Sequence, residues 1–455
     1  MSRLGFKQRL QGLHHDHRRI AAGALRVAFF LLLGKAAGAF KEMAVAYRYG
    51  VSDTVDAYQF TMVMANWLPV TLVGALSVVL IPVLVNLRKH SQAERRLFLE
   101  QLLGWALSLG AVLALVIYAA WPWVLQMMGK GLSPSVQQMS QELLFAFAPA
   151  ALLTVSIGVS AARLRARERH INTLLDSLPA FMILTMVLLA GASPGVGPLL
   201  WGTITGMFLQ ALLLFALACR ADQLWLRPRL GCSAQQWPAL LKAASVMLIG
   251  QVAMSFVGPI DQYTAASLGS NANATLGYAT RLISVVLAIG AASVGRAALP
   301  VLADIQSQGE QTRARALSLK WSMLMLLVGA VVMAVANVLA PWGVALVYER
   351  GAFTAENTQA VTHILRWGMV QMPFYFAVLI LVQLLASQNR YRAMAAVAIA
   401  NFLVKALLNP ILSARMGPAG IMVATSCMYA SSFCCYFILA LKRVPVVLPT
   451  SEQEN

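Results

Sequence analysis

Four ionisable side chains, Lys35, Lys41, Glu42 and Arg48, fall inside or at the end of the first long apolar stretch of the chain, residues 21–49. Near the middle of a bilayer each costs roughly 2.5–3.5 kcal/mol on insertion scales, so a membrane helix carrying several of them must turn them toward a wet, protein-lined interior. The chemistry open to such a wall is binding: ammonium and guanidinium groups hold anions, and the guanidinium fork matches the oxygens of a phosphate. Lys35, Lys41 and, from a later stretch, Arg281 in Ala279-Thr280-Arg281-Leu282 are the leading contributors to a cationic lining, and the Arg281 guanidinium is a natural ligand for a pyrophosphate. Helical spacing puts Lys41 and Arg48 on one face and Lys35 and Glu42 on another, which makes a broad polar wall.

Each candidate also has a plainer role. Arg48, beside Gly50 at the helix end, can snorkel to the interface, and so can Lys41; Lys35 lies too deep for that. Glu42 next to Lys41 is either a local ion pair or a protonatable coupling group. Asp56 opens the second apolar stretch, where a carboxylate caps a helix and offsets its dipole, or else gates. Arg281 divides between phosphate ligand and inter-helix brace, and Asp176 between buried brace and functional acid. Asn401 and Lys405 share one helix face as a coupling or bracing pair, with Asp261 as the candidate carboxylate partner of the lysine.

The elements that must position these residues are membrane helices. The chain has 455 residues, 59% hydrophobic and 11% charged, with a mean hydropathy of +0.70, which places it among polytopic membrane proteins. Apolar stretches recur about twelve times, at 21–49, 55–87, 98–126, 141–162, 172–192, 196–219, 237–267, 272–304, 318–347, 357–386, 392–413 and 417–441. The net charge of +18 gathers in alternate joints, such as Arg88, Lys89, Arg95 and Arg96, and Arg163, Arg165, Arg167 and Arg169. The positive-inside rule then predicts an even number of spans with both termini in the cytoplasm. It also accounts for the charge without nucleic acid as a partner. The first twenty residues are basic and polar and the apolar stretch after them is too long for a leader, so no cleavable signal is expected.

The halves repeat. Gly34 and Phe40 match Gly250 and Phe256, Tyr58 matches Tyr278, Pro82-Val83-Leu84 matches Pro300-Val301-Leu302, and Pro122-Trp123 matches Pro341-Trp342, at offsets of about 216–220. The expected fold is all-α, with two six-helix bundles related by a parallel repeat: a basic amphipathic tail 1–20, a bundle over 21–220, a linker 221–236, a second bundle over 237–441 and a tail 442–455. A site is expected between the bundles near the midplane, with Gln251 standing where Lys35 stands in the first half. A cationic cavity implies an anionic substrate. Short joints leave no room for an extramembrane catalytic domain. The five cysteines have no metal-ligand spacing, and His14-His15-Asp16-His17 has no further ligands nearby, so neither metal nor cofactor is expected.

The stretch Gly34-Lys35-Ala36-Ala37-Gly38-Ala39-Phe40-Lys41-Glu42, then Arg48-Tyr49-Gly50 and Asp56-Ala57-Tyr58, resembles the MviN/MurJ family of lipid-linked-saccharide flippases, within the superfamily that also holds multidrug and polysaccharide exporters. Ala279-Thr280-Arg281-Leu282 and Glu349-Arg350-Gly351-Ala352-Phe353-Thr354 extend the likeness into the second half. The resemblance implies a non-enzymatic flippase of a bacterial inner membrane that moves a polyprenyl-pyrophosphate-linked saccharide by alternating access. Membrane lipids and polysaccharide-assembly proteins are the further partners it implies. Two departures point to a saccharide other than the cell-wall precursor. Leu68, Pro69 and Val73 stand where the peptidoglycan-precursor flippases carry charged residues, and the apolar stretches number about twelve where those flippases usually have two more. Sodium coupling, known in some members, is not expected with Lys405 near the position of a carboxylate. The competing functions are a cation-coupled multidrug exporter, which should carry cavity carboxylates, a membrane glycosyltransferase, which needs a large loop, and a non-transporting scaffold.

Overall fold

In a computed structural model the described residues are 33–441, apart from 168, 170, 192–194, 308, 309 and 389. The tails 1–20 and 442–455, with the His14–His17 cluster, lie outside them. The first helix, α1, is helical over 33–49. It is followed by α2 (Asp53–Leu87), α3 (Gln92–Met128), α4 (Pro134–Ala166), α5 (Asn172–Leu175), α6 (Leu178–Leu189), α7 (Gly197–Asp222), α8 (Trp237–Ser255) and α9 (Val257–Ser267). Then come α10 (Ala272–Ser307), α11 (Gln311–Tyr348), α12 (Ala355–Met369), α13 (Met372–Ser387), α14 (Tyr391–Met416) and α15 (Pro418–Leu441). Eight helices among the described residues are long and apolar enough to cross a membrane, and α12 with α13, bent by 41°, make a ninth. Helix α1, the α8–α9 pair and α10 occupy the remaining apolar stretches.

Local chemistry sets the ends. Ser91 and Glu94 form a reciprocal capping box at the start of α3, and Ser133 accepts the Val136 amide ahead of Pro134 at the start of α4. Three of the apolar stretches are each broken into two helices, and all three breaks have a proline just past them, although Pro69, Pro82, Pro122, Pro149, Pro341 and Pro410 lie within unbroken helices. Pro179, Pro259 and Pro373 have no N–H to offer the carbonyls four residues back, and those carbonyls belong to Leu175, Ser255 and Met369, the last residues of α5, α8 and α12.

Packing divides the chain into two compact units, Met1–Tyr278 with Trp342–Val361, and Ala279–Pro341 with Thr362–Asn455; the divisions fall within α10, α11 and α12. In unit 1, α2 packs on α4, α4 on α3 and α7, and α6 on α7, around Leu80, Phe98, Val155 and Trp237. A Cβ on Gly158 would lie 2.4 Å from Val73, so glycine is what lets α4 approach α2. The segment after α7 folds back on α3: the Arg229 amide donates to the Glu100 carbonyl at 3.1 Å and Trp237 Nε1 to Gln101 Oε1 at 2.8 Å. This brings the basic joints at 88–96 and 220–229 to one end of the unit. In unit 2, α13, α14 and α15 surround Leu381, Leu384, Val397 and Tyr436.

Candidate functional site

Unit 1 holds a cavity of about 720 Å³, walled by α1, α2, α4 and α7 and by the breaks of α5–α6 and α8–α9. That volume lies in the range of about 300–1,000 Å³ usual for ligand sites. Asp176 and Pro179 line it from one break, and Ser255, Gly258 and Pro259 from the other. Interrupted backbone at membrane depth is tolerated where it faces such a cavity. The wall is also polar and aromatic: Tyr58, Asn66, Trp67 and Thr71 project from α2, and Gln251 from α8. Trp67 is held by a hydrogen bond from its Nε1 to Ser255 Oγ at 2.9 Å and by Phe256, 4.5 Å away between ring centroids.

Of the cations expected here, Lys41 is on the wall. It is 8% exposed, pairs with Glu42 and stands 5.8 Å from the Tyr58 ring centroid. Lys35 is exposed and lies outside the lining, about 9 Å back along α1 at the helical rise. The charged lining residues of this cavity are therefore Lys41 and Asp176, a balanced pair where the residue pattern predicts a cationic surface. Asp176 accepts from Gln210 Nε2 at 3.0 Å, which braces it from α7 while it faces the cavity.

Beyond Tyr58, toward the start of α2, a clasp joins segments far apart in sequence. Asp56 Oδ1 accepts the Ala274 amide at 2.8 Å, at the N-terminus of α10, with the carboxylate fully buried. Tyr278 OH donates to the Gly50 carbonyl at 2.9 Å, and the Ala352 amide to the Tyr47 carbonyl at 2.8 Å. Gly50 (φ 57°) and Gly351 (φ 64°) are left-handed, and a Cβ on either would fall 2.3 Å from a backbone oxygen across the joint. Tyr278, Tyr348 and Phe353 fill it, with ring centroids 4.9–5.6 Å apart. Arg48 closes the neighbouring end of α6, donating to the Ala190 carbonyl at 2.8 Å, so it serves carbonyls of its own unit where interfacial snorkelling is the plainer expectation.

The other candidates are distributed over both units. Asp261 is half-buried in α9 of unit 1. Arg281 is half-buried in α10 of unit 2, as are Asn401 and Lys405, both buried, on α14. Asn401 Nδ2 donates to Ser432 Oγ at 3.1 Å. Lys405 Nζ donates to the Ile421 carbonyl at 2.9 Å and to Thr425 Oγ1. The pair thus stitches α14 to α15. Sequence reasoning missed Trp67 and Asn66; a polar residue beside a tryptophan within an apolar stretch was the available signal. It also missed Asp222, which binds Arg163 and Arg167.

A family model described as "Lipid II flippase MurJ" matches residues 45–451. A probable lipid II flippase MurJ of Synechocystis sp. is 26% identical over 439 residues, covering 90% of this chain and 79% of that protein. The solved structure of a lipid II flippase MurJ in an inward closed conformation matches with a TM-score of 0.78 at 19% identity, over 93% of this chain and 88% of that one. An inward-facing multidrug-resistance transporter of the MATE family matches with a TM-score of 0.64 at 13% identity, over 89% and 97%. The chain shares the all-helical, two-lobed repeat fold of these transporters.

Proposed function

This chain belongs to the lipid II flippase MurJ family, and from that premise we propose that it carries a polyprenyl-pyrophosphate-linked saccharide from the cytoplasmic to the outer leaflet. The observation that carries this reading is the 720 Å³ cavity with Lys41 on its wall, next to a clasp that closes one end. The clasp and the basic joint 88–96 lie at opposite ends of α2, so by the positive-inside rule the clasp is the outer gate. The headgroup enters from the cytoplasmic side, its pyrophosphate meeting Lys41 on the cavity wall. The sugars lie against Trp67, Asn66 and Gln251, and the lipid tail stays in the bilayer. Parting of the Asp56, Tyr278 and Ala352 contacts, with the bundles 21–220 and 237–441 rocking about the site, opens it outward.

The saccharide is a cell-wall or exopolysaccharide precursor, and α2 favours one other than the peptidoglycan unit. Leu68 and Val73 pack against the apolar core of unit 1 and Pro69 is buried, so no charge at these positions reads the headgroup. The test is the leaflet distribution of lipid-linked saccharide in cells with the protein, without it, and with Lys41→Ala. Loss of one charged hydrogen-bond partner predicts flipping slowed about tenfold or more, with saccharide trapped on the inner leaflet and Lys41→Arg largely restoring it. Unchanged outer-leaflet saccharide in the deletion strain sinks the reading. A cation-coupled drug exporter has one observation in its favour, the Asp176 carboxylate on the cavity wall. It predicts drug efflux lost in Asp176→Asn with saccharide export intact.

A further inference from the structure

A second cavity lies at the opposite end of unit 1 from the clasp, where α2, α3, α4 and α7 meet beside the basic joints. It measures about 20 Å³ and is lined by Arg88, Arg95, Arg163, Arg167 and Asp222 over an apolar floor of Leu84, Leu87 and Leu99. One carboxylate faces four guanidinium groups. Asp222 is fully engaged: Oδ2 receives Arg163 through Nε and Nη2 at 2.9 Å, and Oδ1 receives Arg167 Nε at 2.8 Å. Those two arginines are held rigid, Arg163 being 3% exposed, and their charges are only half offset.

Arg88 and Arg95 have no share in that carboxylate. Arg95 sits in the first turn of α3, where the helix dipole disfavours a cation, so helix stability does not explain its position. Its Nε is buried without a hydrogen-bond partner. A buried guanidinium Nε left without a partner on this half-buried arginine, in a pocket with excess positive charge, calls for an anion. Phosphate oxygens suit it, because guanidinium groups donate to them in parallel pairs. The size limits the ligand further. A volume of about 20 Å³ seats little more than one water-sized group, so a single phosphate oxygen enters and the bulk of its ligand stays outside.

We propose that this pocket is a phosphate site, which seats one oxygen of a phosphate group at the membrane surface while the rest of the ligand stays at the interface. An anionic lipid headgroup and free phosphate offer the same chemistry, and basic pockets between membrane helices on the cytoplasmic side are suited to the former. The site is separate from the transport cavity and stands whether or not the flippase reading holds.

The test uses the full-length protein in phosphatidylcholine nanodiscs, following thermal unfolding as phosphatidylglycerol replaces part of the neutral lipid and, separately, as inorganic phosphate is added. Wild-type Tm should rise in at least one arm, and the arm that responds identifies the source. Arg95→Gln and Arg88→Gln should each lose most of that rise, whereas Arg415→Gln, a basic residue of unit 2, should keep it. In pure phosphatidylcholine Arg95→Gln should be no less stable than wild type, since it removes one positive charge from a pocket that holds them in excess. If Arg95→Gln does not fold, the exposed Arg88 decides. A wild-type Tm indifferent to both anions overturns the proposal, and so does a rise that survives both substitutions.

Discussion

Asp56 stands in the first turn of α2, yet its carboxylate accepts the amide of Ala274 at the start of α10, 218 residues along the chain. Its type and place announce a helix cap, and the cap is real, but the helix it serves is another one. Loss of such a cap costs about 1 kcal/mol, a factor of roughly five in an equilibrium. Asp56→Ala should therefore shift the gate toward its open state. In a cysteine-free background carrying Thr154→Cys on the cavity wall, labelling by an impermeant thiol reagent from outside should speed up about that much. Asp56→Asn, which keeps an acceptor oxygen, should change it little. Equal labelling in Asp56→Ala and wild type would remove Asp56 from the gate. Lys41 was readable as a cavity cation because a lysine inside an apolar helix needs a wet or paired surrounding. Its partner Glu42 was readable too, being its neighbour in sequence.

At the scale of elements, the breaks of α5–α6, α8–α9 and α12–α13 each carry a proline that leaves one carbonyl without its N–H partner, and the first two wall the cavity. Composition located the apolar stretches as continuous because hydropathy sums side chains and does not register a missing N–H. The α1–α2 joint depends on glycine in a different way. Gly50 has φ 57° and its absent Cβ leaves room for the Ala352 carbonyl. Gly50→Ala should destabilise the protein by about 1–2 kcal/mol from handedness alone, with the clash adding to it, and Tm in detergent should fall. Gly38, in the interior of α1 with nothing within 4 Å of its Cβ position, is the control. Gly38→Ala should leave Tm unchanged or raise it, because alanine is favoured over glycine in a helix. Equal Tm values for the two variants would mean that the joint tolerates a side chain.

For the whole molecule the proposed export of an anionic headgroup couples to membrane voltage. Each net negative charge moved outward gains about 2.3 kcal/mol per 100 mV when the inside is negative. Collapsing the potential with the pH gradient held should slow flipping, and a rate indifferent to voltage would count against an uncompensated anionic substrate. That the chain is a multi-pass helical protein with a repeated, transporter-like order of spans was legible in 59% hydrophobic composition, recurring apolar stretches and matched residues in the two halves. Those features are local or periodic, and the bilayer forces their outcome, because backbone groups in hydrocarbon must be satisfied within helices. Which polar residues share a cavity was not legible. Lys41 and Asp176, some 135 residues apart, line one cavity because α4 approaches α2 at Gly158 and α7 approaches α6 at Gly202 and Gly206. Lys35, on the same helix as Lys41, falls outside that wall by about a turn and a half of α1. The clasp and the arginine pocket likewise exist only once distant segments pack, since each draws its donors and acceptors from helices whose contact no spacing along the chain records.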